Sequence, residues 1–160
     1  MKDANNLETM QRKQDHLRVC LEENVEAGSA WWEDVTLIHN SLPEMDFNEI
    51  DTSVEFLGKK LRLPLMIAAI TGGTAEAKEI NRKLAAVAEK TGIGFGVGSQ
   101  RAMIENAGLT ETYSVRKVAP TAFIAGNIGL AQLKKFSIKR VNDAAKAIGA
   151  DAMAVHPNGG

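Results

Sequence analysis

From residue 65 onward, short apolar runs alternate with longer amphipathic stretches. The runs cover residues 65–69, 94–98, 122–126 and 152–156, and their starts lie 28 to 30 residues apart. Runs of this length suit strands buried on both faces. The stretches between them, 75–91, 109–119 and 137–148, carry helical spacing. In the first, Ile80, Leu84 and Val87 form the side expected to be buried, behind Thr74 as N-cap. In the third, Ser137 is the cap and Val141, Ala145 and Ile148 fall on one side. A strand and its crossover helix take about 30 residues, so the spacing predicts an α/β fold with about four parallel strands joined by crossover helices.

Upstream the grammar differs. Leu17, Cys20, Leu21 and Val25 recur at helical spacing, and Arg12, Lys13, Asp15, Arg18, Glu22 and Glu26 surround them. This predicts an N-terminal amphipathic helix over 8–27, closed near Gly28. Residues 31–47 show no sustained period and contain Pro43, which suggests a connection packed by its aromatic residues. Residues 54–63, split at Gly58-Lys59, suggest a small hairpin. The chain therefore divides into a helix and connecting segment, 1–63, and a β-α region, 64–160.

Composition narrows the classes. The 160 residues are 44% hydrophobic and 24% charged, the balance of a soluble domain rather than a disordered or collagen-like chain. Nineteen basic residues against twenty acidic ones leave no global footprint for nucleic acid or an anionic membrane, so any anion site must be local. A single cysteine, Cys20, forms no internal disulfide. The charged opening lacks the apolar core of a secretory signal, and the apolar stretch 61–70 is broken by Arg62 and Pro64. A cytoplasmic protein without a membrane segment is expected.

Ligands of parallel α/β sheets collect at the strand C-termini, and the residues there are unusual. They are Thr71-Gly72-Gly73 after the first run, Ser99-Gln100-Arg101 after the second, Asn127 at the third, and His156 with Asn158 at the fourth. Together they offer hydroxyls, amides, a guanidinium and an imidazole, an inventory suited to a phosphorylated or flat heteroaromatic ligand. Each also has a plainer reading. Gly72-Gly73 suits a tight turn as well as a ligand approach, Thr71 and Ser99 suit local caps, and His156 suits a half-buried imidazole. Arg101, beside small residues at a strand end, is the natural bidentate anion contact. Gly92, Gly94, Gly96 and Gly98 alternate within a strand rather than following it, so they are no dinucleotide fingerprint. They strip one face of side chains, which makes room for something large or admits another backbone. Arg12, Lys13 and His16 share one helix side, either as a solvated face or as an anion clamp.

The residues resemble the FMN-dependent type 2 isopentenyl diphosphate isomerases. The resemblance is carried by Arg12-Lys13-Gln14-Asp15-His16, Asp34-Val35, Leu37-Ile38-His39-Asn40-Ser41-Leu42-Pro43, and Pro64 through Thr71-Gly72-Gly73. It continues through Gly98-Ser99-Gln100-Arg101, Tyr113-Ser114-Val115-Arg116, Asn127, Gly129 and Gly149-Ala150-Asp151-Ala152. It implies the N-terminal half of a TIM (β/α)8 barrel that interconverts isopentenyl and dimethylallyl diphosphates. Reduced FMN would act as acid and base, with Mg²⁺ present, NADPH as flavin reductant, and a homo-oligomeric assembly. Ala69, Ile70, Thr71, Ser99 and Asn127 would contact FMN. Arg12, Lys13, His16, Ser99, Gln100, Arg101, His156 and Asn158 would hold the substrate, chiefly its diphosphate. No residue is assigned as catalytic.

The sequence departs from the family pattern at its end. The pattern there is His-Leu-Asn followed by Gln-Glu, whose glutamate holds Mg²⁺, whereas this chain has His156-Pro157-Asn158-Gly159-Gly160. Ile70 also stands where methionine is common. Four units would leave two unpaired sheet edges, so instability, aggregation or dimerisation is expected of these 160 residues alone. The alternative is a non-catalytic half barrel that binds flavin or an anion. A third reading is another FMN barrel acting on an oxidisable hydroxyacid, against which the Arg12-Lys13-His16 group argues.

Overall fold

A computed structural model describes residues 2–26, 28–29 and 31–157; the side chains of residues 2–10 and of Lys13 lie outside the described part. In chain order the elements are α1 (Lys2–Glu22), β1 (Val54–Phe56), β2 (Lys59–Leu61), β3 (Met66–Ile67), α2 (Ala75–Thr91), β4 (Gly94–Gly96), α3 (Arg101–Glu105), β5 (Ile124–Gly129), α4 (Ile138–Ala147) and β6 (Ala152–His156). Short 3-10 turns occupy Trp32–Asp34, Phe47–Glu49, Ala107–Thr112 and Leu130–Lys134.

All four expected strands form one parallel sheet in the order β3-β4-β5-β6. The register sets Met66 beside Gly94, Phe95 beside Ile124 and Gly129 beside His156. Successive side chains alternate between two faces, which are packed differently. On the outer face Phe95, Val97 and Ile124 meet Ala85 and Ala88 of α2, Ala144 of α4, and Tyr113, Val115 and Ala119. On the inner face Phe123, Ala125 and Ala152 pack against Leu61 of β2. The Phe56 ring meets Phe123 edge-on, with centroids 5.1 Å apart. The β1–β2 hairpin therefore plugs the N-terminal end of the inner face and leaves the C-terminal rim open. Its turn is Leu57-Gly58, both at positive φ, one residue before the expected split; this is the geometry a two-residue hairpin turn demands.

Helix α2 has the expected bounds. Thr74 caps it by accepting from the Ala77 amide at 3.0 Å, and Gly92 closes it at φ 73°. Its buried side is Ala77, Asn81, Ala85 and Ala88 rather than Ile80, Leu84 and Val87. Ile80 and Leu84 are half-buried and Val87 is exposed. Small residues seat the helix close to the sheet, and the large ones flank the contact. In α4, Ser137 caps and Val141 is buried with Ile148 just beyond, as expected, while Ala144 packs in preference to Ala145.

Three expectations are corrected. The crossover over 109–119 is not a helix. Asn106 ends α3 and accepts from the Gly108 amide to start a 3-10 turn, which stops at Thr112. Beyond it Tyr113 and Val115, two residues apart, both point into the core, which a helix could not arrange. Helix α1 ends at Glu22, and of its apolar positions Leu17 is half-buried whereas Cys20, Leu21 and Val25 are exposed. The connection after it is not packed by its aromatic residues, since Trp31, Trp32 and Phe47 stand exposed. The chain presents 11453 Å² of surface, whereas a self-contained protein of its mass presents about 7,800 Å².

Candidate functional site

The loops that follow β3 and β4 are drawn together by close backbone contact. An added Cβ on Gly96 would lie 3.2 Å from the Ala69 nitrogen, and one on Gly98 would collide with the Thr71 backbone. The Gly98 amide donates to the Thr71 carbonyl at 3.1 Å. At these two positions the stripped face of β4 thus admits another backbone, the second of the two readings left open for the alternation. The next link runs to β5, where the Gln100 amide donates to the Asn127 carbonyl at 2.8 Å. Thr71, Ser99 and Asn127 therefore sit on consecutive, mutually bonded segments of one rim.

A buried polar bracket stands behind these loops. Asn81 of α2, 1% exposed, donates from Nδ2 to the carbonyls of Thr71 (3.2 Å) and Thr112 (3.0 Å). The Thr112 hydroxyl accepts from the Gly73 amide at 2.9 Å. The Tyr113 hydroxyl donates to the Ser99 carbonyl at 3.0 Å. Burial pushes the Tyr113 phenol up, with the charge of Arg101 opposing, so the group remains a neutral donor. Gly72 is where the ring passes: a Cβ there would lie 2.5 Å from Tyr113 Cζ and 2.7 Å from Cδ1. Only Gly73 of the glycine pair has a positive φ, at 89°. The two glycines thus serve different needs, a turn at Gly73 and room for the ring at Gly72.

The two arginines at opposite ends of the sheet behave differently. Arg116, near the strand N-termini, donates to the carbonyls of Ala119, Ala122 and Gly149 and pairs with Asp151 at 2.8 Å. Asp151 also pairs with Lys59 at 3.0 Å and accepts from the Ile124 amide. Burial alone would raise the Asp151 carboxyl, but the Ile124 amide, Lys59 and Arg116 together hold it below the ordinary value. Glu89 is lowered at the same end, chiefly by the Thr121 hydroxyl. Arg101, at the rim, is half-buried, and among the described residues it has neither a hydrogen-bond acceptor nor a carboxylate partner. The half-buried side chains of Ser99, Asn127 and His156 also lack bonded partners among the described residues. A saturated arginine fixes the fold, whereas one without a partner among the described residues, at the same sheet end as free amide, hydroxyl and imidazole groups, is equipped for a ligand.

The remaining expected site residues are placed as follows. Ala69 and Ile70 are exposed on the loop after β3, and Thr71 is buried. Gln100 is wholly buried, and its Nε2 donates to the Ala144 carbonyl at 3.0 Å and faces Met103 Sδ at 3.1 Å. Its side chain has no open path to the rim. Arg12 and His16 stand exposed one turn apart on α1, and no hydrogen bond or ion pair joins them to the rim among the described residues. Lys13 lies on the same helix with its side chain outside the described part, and Asn158 lies outside the described residues. Sequence reasoning gave no site role to Asn81, Thr112 or Tyr113, although Tyr113 stands in one of the motifs that carry the resemblance. The signal was available for Asn81, a polar residue at helical spacing with Ala77 and Ala85. It also passed over Gln132, whose side chain converges with His156 on the Cα of Gly129. Among the described residues no three His, Cys, Asp or Glu side chains gather to hold a metal ion, and no helix is long and apolar enough to cross a membrane.

The sequence is similar to known proteins over almost its whole length. The isopentenyl-diphosphate delta-isomerase of Archaeoglobus fulgidus is 51% identical over 153 residues, 95% of this chain and 44% of that protein. Those of Pyrococcus horikoshii and Methanoregula boonei are 50% and 48% identical, each over 94% of this chain, and 43% and 42% of their own lengths are covered. The chain thus spans less than half the length of these relatives. The profile of the FMN-dependent dehydrogenases matches residues 15–156, from α1 to the end of β6, and the chain belongs to that family.

Proposed function

We propose that this chain forms one part of the active site of an enzyme that interconverts isopentenyl and dimethylallyl diphosphates with reduced FMN. The observation that carries the reading is Arg101, without a hydrogen-bond acceptor or carboxylate partner among the described residues, at the same end of the parallel sheet as Ser99, Asn127 and His156. The names of relatives at 46–51% identity support it.

The rim chemistry fits FMN. A flavin ring needs donors and acceptors along one polar edge and a flat approach, and the loop after β3, Ser99 Oγ and the Asn127 amide offer them. Ala69, Ile70 and Thr71 would lie along the ring, and Ser99 and Asn127 at its edge. FMN, when bound reduced, supplies a group able both to give and to take a proton, as a double-bond shift without net redox change requires. The chain's residues would do the remaining work. Arg101, with Ser99, would hold the diphosphate; Arg12, Lys13 and His16 would close over it from α1; His156 and Asn158 would line the alkene side. Gln100 would act through its bonds to Asn127 and Ala144 rather than by touching substrate. Binding energy from the anionic tail would orient the small reacting alkene. Mg²⁺ on the diphosphate, NADPH as reductant, a cytoplasmic setting and a homo-oligomeric assembly belong to the same proposal, and the exposed apolar side chains between Trp31 and Ile50 support the last.

The family match favours a second reading, an oxidoreductase that uses the same flavin rim on a hydroxyacid. The two predict different products. Full-length protein incubated with FMN, reductant, Mg²⁺ and isopentenyl diphosphate should form dimethylallyl diphosphate without consuming reductant stoichiometrically. Flavin reduction by 2-hydroxyacids, with no isomerisation, would establish the second reading instead.

A further inference from the structure

We propose that Tyr113 is a positioning residue for the flavin site, setting the spacing between the loop of Thr71 and the loop of Ser99. The inference rests on the FMN reading above but concerns residues that reading does not use. Tyr113 lies in the irregular crossover between β4 and β5, yet its side chain reaches both loops. Its ring occupies the space left by the missing side chain of Gly72, and its hydroxyl donates to the Ser99 carbonyl at 3.0 Å. The neighbouring Thr112 hydroxyl accepts from Gly73, and the Thr112 carbonyl receives Asn81, which also holds the Thr71 carbonyl. Both rim loops are thus tied to one dipeptide and one asparagine, all three on the core side of the rim.

The arrangement explains why a segment that should be a regular crossover helix is broken at this point. A helix through residue 113 would send its hydrogen bonds along its own axis. The irregular backbone frees the Thr112 carbonyl for Asn81 and turns the Tyr113 hydroxyl toward Ser99. The Tyr113 side chain is buried on the core side, so it need not touch a ligand itself. It determines how large a share of the molecules hold the two loops at the spacing a flat ring requires, and apparent affinity scales with that share.

The test is Tyr113→Phe in the full-length protein, which keeps the ring against Gly72 and removes the hydroxyl alone. FMN affinity is read by quenching of flavin fluorescence, and the visible circular dichroism of bound flavin reports its seating. The expected result is FMN binding weaker by about 3- to 10-fold, the effect of one hydrogen bond on the competent share, with an altered dichroism band. Thr112→Val, which removes the acceptor for Gly73, should act in the same direction. Unchanged affinity and dichroism in both variants would overturn the proposal and leave the flavin reading standing. A wild-type protein that binds no FMN would instead remove the flavin reading, and this proposal with it.

Discussion

Replacing Gly72 with alanine tests the packing behind the rim at a single atom. The new Cβ would lie within 2.7 Å of two ring carbons of Tyr113 and closer still to a third, and that ring is fully buried. Overpacking of this kind costs about 1–3 kcal/mol. Displacing the ring also breaks its bond to the Ser99 carbonyl, about 1 kcal/mol more. The variant should therefore be about 2–4 kcal/mol less stable by urea unfolding of the full-length protein. The cause is separable by a double-mutant cycle. Tyr113→Leu removes the colliding ring atoms, so in that background Gly72→Ala should cost under about 1 kcal/mol, leaving a coupling of about 2 kcal/mol. Additive losses would refute the reasoning and return Gly72 to the role of a turn former.

The opposite end of the sheet yields further predictions. Arg116→Met leaves three carbonyls short of a donor and Asp151 with Lys59 and the Ile124 amide only, and should destabilise by about 1.5–3 kcal/mol in thermal or urea unfolding while FMN affinity per folded molecule stays constant. The Asp151 carboxyl is held below its unfolded value, so the stability it contributes is present above about pH 4 and is lost as pH falls through the lower folded value; Asp151→Asn should flatten the unfolding profile across that acid window and leave neutral samples less stable. Thr74→Ala removes the cap of α2 and should cost about 0.5–2 kcal/mol, measured by urea unfolding, with Thr74→Ser recovering most of it.

The elements that the sequence disclosed are those whose signals are local. The strands at 28–30 residue spacing, the Thr74 and Ser137 caps and the β1–β2 hairpin, its turn misplaced by one residue, all follow from short-range pattern and turn chemistry. The segment 109–119 misled because its apolar spacing imitates a helix, whereas its backbone is governed by long-range bonds, Asn81 to the Thr112 carbonyl and Arg116 to the Gly149 carbonyl, that no local window contains. The rotation of α2 by one position was hidden because alanines, weak in hydrophobicity, determine how closely the helix approaches the sheet. Within the site, Thr71, Ser99, Arg101 and Asn127 were legible as polar residues at strand ends. Gln100 read as one more of them, yet its burial against Ala144 depends on where α4 comes to rest. The Arg12 and His16 group was legible as a cluster and as a candidate anion clamp; in the structure it stands exposed on α1, with no bond to the rim among the described residues.

The proposed function turns on the guanidinium of Arg101, unpartnered among the described residues, holding a diphosphate at the rim. The most direct measurement is the steady-state kinetics of isopentenyl diphosphate isomerisation by full-length wild-type and Arg101→Met proteins, with reduced FMN and Mg²⁺ saturating. Loss of one charge-assisted contact of about 1.5–3 kcal/mol should raise KM for the diphosphate by at least about 10-fold, with kcat altered far less and the melting temperature unchanged. Isomerisation with the same KM in both proteins, or none by the wild type, would contradict the account.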